Sequence, residues 1–158
     1  MSGLFWAIGG IALAVGLAGS GSAIGIGHAG MAANGVMSEN PKDFGKYLIL
    51  LALPGTQGIY GFVIGFLFLV KIGILGGTLA VLNQSQGLNI FFATLPIAIT
   101  GLTSAIYQGK VCAAGISMIT RQPDQSGKAL IMGVFVEFYA VLGFLISFFM
   151  WLRFPVVQ

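Results

Sequence analysis

"SENPKDFGK", residues 38–46, is one of two short charged islands in an otherwise apolar chain. The other is "TRQPDQSGK", residues 120–128. The two lie 82 residues apart, with Pro41 on Pro123 and Gly45-Lys46 on Gly127-Lys128. The correspondence runs outward from both. Upstream, Ser22-Ala23-Ile24 falls on Ser104-Ala105-Ile106; downstream, Gly61-Phe62 falls on Gly143-Phe144, Ile64 on Ile146 and Phe66 on Phe148, with no gap needed. Similarity at a fixed period is the signature of a repeated structural unit.

The composition says where that unit lives. Of 158 residues, 57% are hydrophobic and 7% charged, whereas a soluble domain carries about a quarter charged residues. So little polar surface cannot cover a globule in water, which points to an integral membrane protein. Apolar stretches run over about 4–36, 47–70, 88–119 and 128–153. Each exceeds the ~20 helical residues needed to cross a hydrocarbon core. The first and third are long enough to project beyond it. The expected fold is an all-α membrane protein, four transmembrane helices made by tandem duplication of a helical hairpin. The first repeat is 1–82 and the second 83–158. Two copies of a hairpin point the same way, so both charged loops share one side of the membrane. Lys42, Lys46, Arg121 and Lys128 argue that this side is the cytoplasm, with the termini outside. The start "MSGLFWAIGG" lacks a basic leader region and reads as a retained first helix.

Residue size divides the four spans into two kinds. The first carries small residues every fourth position (Gly19, Ala23, Gly27, and beside them Gly21, Gly25, Ala29, Ala33). The third carries Gly101, Ala105, Gly109, Ala113 and Ser117. That spacing lines one helix face and lets backbones approach closely. The second and fourth are bulky, with Phe62, Phe66 and Phe68, then Phe135, Phe144, Phe148, Phe149 and Trp151. Slim helices inside and stout helices outside suit a curved array. Ordinary close packing of one four-helix bundle explains the same pattern.

Several motifs lead nowhere. The seven basic residues form no run, which argues against nucleic acid as a partner. "GIGHAG" (25–30) has dinucleotide-loop spacing but lies inside an apolar helical run, without the strand that motif requires. His28 has no second ligand at metal-binding spacing. Cys112 has no partner cysteine and reads as a small buried residue. Asn83-Gln84-Ser85 is a glycosylation sequon, with meaning only in a eukaryotic secretory setting.

Glu137, in "LIMGVFVEFYAVLGFLISFFMWL" (130–152), is different. A charge at mid-bilayer costs about 2.5–3.5 kcal/mol on insertion scales, so an acid kept there is a functional candidate. Polar company is available at comparable depth: Thr56, Gln57 and Tyr60 in "LALPGTQGIYGF" (51–62), and Gln108 in "AIYQGK" (105–110). Pro54 lacks an amide hydrogen and frees carbonyls near it from the helix ladder. A hydroxyl, two amide oxygens, a carboxylate and a carbonyl make an all-oxygen cage suited to a hard cation. With one negative charge, a monovalent ion leaves the site neutral. A proton would need only the carboxylate, so two glutamines and a threonine favour sodium over a proton, although the same groups could instead simply hydrogen-bond Glu137.

"LPGTQGIYGFVIGF", "AIYQGKVCAAGI" and "FVEFYAVLGFLISF", together with the duplication, closely resemble the rotor-ring proteolipids (subunit K, or c) of V-type ATPases, the bacterial sodium-transporting kind. The resemblance covers essentially the whole chain. It implies identical protomers in a ring, turned by central-stalk subunits docking on loops 38–46 and 120–128. Each protomer would carry one Na+ past a stator subunit with an essential arginine, with no catalysis on this chain. It implies an ion site at the Leu53 carbonyl, Thr56, Gln57, Gln108 and Glu137, with Tyr60 steadying the carboxylate and Pro54 kinking the helix. Gly55 stands opposite Glu137 in the repeat, so one ion per four helices is implied. Sodium-type rings of the related F-type family place Ser or Thr after the glutamate. Here Phe138 follows, so the hydroxyl must come from Thr56. H+ remains the alternative cargo. A small multidrug antiporter also uses a lone membrane glutamate, but in its first helix and without this duplication.

Overall fold

A computed structural model describes residues 2–39, 44–76 and 78–155. Pro41, Lys42 and Asp43, and with them the middle of the 38–46 loop, lie outside the described residues. The remainder forms five α-helices: α1 (Ser2–Glu39), α2 (Phe44–Ala52), α3 (Thr56–Lys71), α4 (Gln84–Arg121) and α5 (Ser126–Arg153). Helices α2 and α3 are one span interrupted by a 3-10 turn at Leu53–Gly55. A second such turn, Pro123–Gln125, leads into α5. Four segments are therefore long and apolar enough to cross a membrane, as expected. At about 1.5 Å rise per residue, the 38 residues of α1 and of α4 exceed the thickness of the hydrocarbon.

Local chemistry sets the ends. Helix α3 stops where Gly73 takes φ +78°, a left-handed conformation that favours glycine; a Cβ there would also collide with the Thr78 carbonyl. Helix α4 starts four residues earlier than the apolar run suggests. Asn83 accepts from the Gln86 N–H while Gln86 accepts from the Asn83 N–H, each at 2.9 Å. This capping box satisfies two orphan donors at the helix start. The sequon asparagine is thus a helix cap.

Helices α1 and α4 make the most extensive contact, with α3 packed on α1 and α5 on α4. Of the two small-residue stripes on α1, Gly21, Gly25, Ala29 and Ala33 are buried, the two glycines directly against α4. A Cβ on Gly109 would run into the backbone of Gly25, so the helices meet there main chain to main chain. Ala23 and Gly27 of the other stripe face away from the chain. The bulky faces of α3 and α5 lie outermost, with Phe62, Phe66, Phe135 and Phe149 exposed. Phe68 departs from that pattern and is fully buried. Phe148 stacks on Phe144 and Trp151 beside the α3–α5 seam.

The core is divided. One apolar cluster (Ala7, Ile11, Ala14, Ile64, Phe68, Ile90, Ile97) fills the end away from the charged loops. Another (Ala29, Ala33, Tyr47, Leu50, Cys112, Ile116, Ala129) fills the end beside them. Between the two in every span lies a polar layer: Ser22, Gln57, Ser104 and Gln108, all buried, with Glu137 on α5.

Candidate ion-binding site

The polar layer is built around the 3-10 turn. Its cause is local: Pro54 cannot donate a backbone hydrogen bond, and Gly55 follows it without a side chain to stiffen the helix. The tightened turn ends with the Thr56 N–H donating to the Leu53 carbonyl. It delivers Leu53, Thr56 and Gln57 together to the junction of α3, α4 and α5. Just beyond it, in the first turn of α3, the Gly58 N–H donates to Ser22 Oγ of α1, 2.8 Å away.

Glu137 reaches this junction from α5. Its Oε1 accepts from Thr56 Oγ1 and from the Tyr60 hydroxyl, each at 2.7 Å, and its Oε2 lies 3.4 Å from Gln108 Nε2. Thr56 Oγ1 is also 3.1 Å from the Leu53 carbonyl oxygen; its single proton can serve only one of the two acceptors. Behind the carboxylate, Gln108 Nε2 donates to the Gly133 carbonyl at 3.0 Å, and Gln57 Nε2 donates to Gln108 Oε1 at 2.5 Å. Leu53, Thr56, Gln57, Tyr60, Gln108 and Glu137 thus meet in one place, although they come from three spans.

Two features bear on what the cluster can hold. Gln57 Oε1 is buried and, among the described residues, is the one buried side-chain polar atom without a hydrogen-bond partner. An unsatisfied buried acceptor costs about 1–3 kcal/mol, and a cation beside it would remove that cost. The cluster is also asymmetric. Gln57 and Gln108 are fully buried, whereas Thr56, Tyr60 and Glu137 are half-buried next to the exposed Phe138 and Tyr139. The carboxylate therefore sits at the outer edge, with neutral amides as its inner wall.

The first repeat holds no second copy of this chemistry. At the 82-residue offset, Ile26 stands for Gln108, Gly55 for Glu137, Phe138 for Thr56, Tyr139 for Gln57 and Leu142 for Tyr60. Ser104 is not among the residues that the sequence singles out for the site. It lies beside the cluster, its Oγ donating to the Val136 carbonyl at 2.9 Å and standing 3.4 Å from Gln57 Nε2. The one signal that could have found it is its position, one helical turn before Gln108 on the same face.

Comparison with known proteins agrees with the duplication. The pattern of the ATP synthase C-subunit family matches residues 9–68 and again 91–150, two blocks separated by the same 82 residues as the repeat. The chain is 47% identical over 146 residues to the V-type sodium ATPase subunit K of Enterococcus hirae, spanning 92% of this chain and 90% of that one. It is 38% identical over 138 residues to the A-type ATP synthase subunit K of Methanocaldococcus jannaschii, spanning 87% of this chain and 58% of that longer one. The chain belongs to the ATP synthase C-subunit family and carries the family's unit twice.

Proposed function

We propose that this chain is the ion-carrying subunit of a membrane rotor ring and that its cargo is Na+. The ion would be held by the Leu53 carbonyl, Thr56 Oγ1, Gln57 Oε1, Gln108 Oε1 and the Glu137 carboxylate. The observation that carries this reading is the buried Gln57 Oε1, an oxygen with no partner on a side chain bonded to the Gln108 amide behind the carboxylate. A proton does not need it; a hard cation seeking oxygen ligands does. Gln108 Oε1 keeps a second lone pair after accepting from Gln57. The sodium ATPase named among the relatives supports the same choice.

The mechanism follows from charge and position. Loaded, the site is neutral, and Glu137 can face lipid without the mid-membrane penalty of about 2.5–3.5 kcal/mol. Tyr60 holds Oε1 in the orientation that the loaded site needs and ligates nothing. Because the carboxylate is at the outer edge, an ion leaves by that side, where a stator cation (an arginine, on the family resemblance) would compete for Glu137. Rotation between lipid and stator then moves one ion per protomer. ATP is hydrolysed elsewhere; this chain is the non-catalytic, ion-translocating part. On this reading 1–82 and 83–158 are the two copies of the hairpin. The membrane is bacterial, with loops 38–46 and 120–128 on the cytoplasmic side as the docking ground of the central stalk and the termini outside.

A second reading has its own support. Thr56, Tyr60 and Gln108 together give Glu137 enough partners to hold it with a proton in place of sodium. Carbodiimide modification of Glu137 on the purified ring separates the two. Sodium added at constant pH is expected to slow the reaction, and Gln108→Ala or Thr56→Ala to raise the sodium required. Modification governed by pH alone and indifferent to sodium would establish the proton reading instead.

A further inference from the structure

The unpartnered oxygen of Gln57 raises a question of direction: an amide that turned over would present its NH2 to the cage and repel a cation. Gln57 comes from α3, yet what fixes its orientation is two backbone carbonyls of α5. Gly133 C=O can only accept, so Gln108 must aim Nε2 at it and leaves its Oε1 toward Gln57. Val136 C=O can likewise only accept, so Ser104 must aim its proton there and leaves its lone pairs toward Gln57 Nε2. A turned-over Gln57 would set its oxygen against the Gln108 oxygen and against those lone pairs. Two acceptor–acceptor contacts in a buried, low-dielectric layer are strongly unfavourable. Ser104 is itself buried, at 4% exposure, so water cannot easily take its place.

We propose that Ser104 is a positioning residue for the ion site: it relays the Val136 carbonyl to Gln57 and keeps Gln57 Oε1 turned toward the cation, so that it sets sodium affinity without touching the ion. The partner of Ser104 in the repeat shows that this use is not generic. Ser22 instead accepts from the Gly58 N–H, just beyond the 3-10 turn. Because Ser104 acts through Gln57, it should matter for a cation, which uses that oxygen, and not for a proton on Glu137, which does not. The proposal rests on the sodium reading above and sharpens it into a selectivity device.

The test uses the assembled ring of wild type, Ser104→Ala and Ser104→Thr, with carbodiimide modification of Glu137 followed against sodium at fixed pH and against pH without sodium. Ser104→Ala is expected to need about tenfold more sodium for half-protection, the loss of one buried hydrogen bond, with its sodium-free pH profile unmoved. Ser104→Thr, which keeps the hydroxyl, is expected to restore protection to near wild type. An unchanged half-protection concentration in Ser104→Ala would overturn the proposal alone. So would parallel shifts of both curves, because a merely loosened site would move proton and sodium together. Wild-type modification indifferent to sodium would instead bring down the sodium reading, and the proposal with it.

Discussion

The two carboxylate oxygens of Glu137 are held differently, and the difference separates roles at the residue scale. Oε1 receives two short hydrogen bonds, from Thr56 and Tyr60, while Oε2 has only the longer approach of Gln108. Tyr60→Phe removes one of the short bonds and leaves the ring in place. Hydrogen bonds to charged groups contribute about 1.5–3 kcal/mol, so sodium half-protection of Glu137 from carbodiimide is expected to require at least about tenfold more sodium. Unaltered protection would show that the hydroxyl does not steady the carboxylate. Glu137, Gln57, Gln108 and Thr56 were legible in the sequence because each is costly in an apolar span. Ser104 was not. A helical serine or threonine usually bonds the carbonyl of its own preceding turn, as Thr100, Ser117 and Thr120 do here. Only the neighbouring helix shows that Ser104 reaches across instead.

At the scale of the element, two prolines in apolar spans have different outcomes. Pro96 lies inside an unbroken α4, where the Ile97 N–H donates to Ser147 Oγ of α5 at 3.2 Å. Pro54, followed by Gly55, turns the second span into two helices with a 3-10 turn between them. The sequence predicted a kink at Pro54 and freed carbonyls. The family resemblance grouped Leu53, Thr56 and Gln57 at one ion site, but the spacing of the residues did not show that a 3-10 turn would bring them together. Pro54→Ala is expected to let this turn relax toward a regular helix, which rotates Thr56 and Gln57 away from Glu137. The measurement is again sodium protection, expected to weaken several-fold while the ring still assembles. Gly109→Val tests a different property of the helices. With the Gly25 backbone in the way, the added side chain has no room, and overpacking costs about 1–3 kcal/mol or more. Lowered thermal stability of the purified protein is the expected result, and full stability would contradict the close α1–α4 approach.

Taken whole, the molecule is two apolar clusters separated by a polar layer, with α1 and α4 side by side. The duplication extends that pairing beyond the chain. Within the chain, Gly109 of α4 meets Gly25 of α1. At the 82-residue offset, Gly27 occupies the place of Gly109 and Tyr107 the place of Gly25. Both are open: Tyr107 is 61% exposed, and a Cβ on Gly27 would meet nothing within 4 Å. Continuing the alternation of α1 and α4 around a ring sets Gly27 of one protomer against Tyr107 of the next. In a Cys112→Ala background, the double variant Gly27→Cys/Tyr107→Cys is expected to form a ladder of disulfide-linked oligomers on oxidation, and each single variant none. A double variant that stays monomeric under oxidation would break the alternating arrangement.

The sequence by itself determined the membrane setting, the four spans and their duplication, because hydropathy and repeat length are properties of the chain read in order. It also singled out Glu137 and its polar company, because each such residue is expensive in hydrocarbon wherever it ends up. Only the tertiary structure decided which small-residue stripe of α1 packs within the chain. Both Gly21-Gly25 and Ala23-Gly27 have the spacing for it, and the choice rests on the rotation of α1 against α4. It alone decided that Gln57 keeps an oxygen without a partner. That orientation is set by the carbonyls of Gly133 and Val136, through Gln108 and Ser104, and backbone acceptors leave no trace in residue identity.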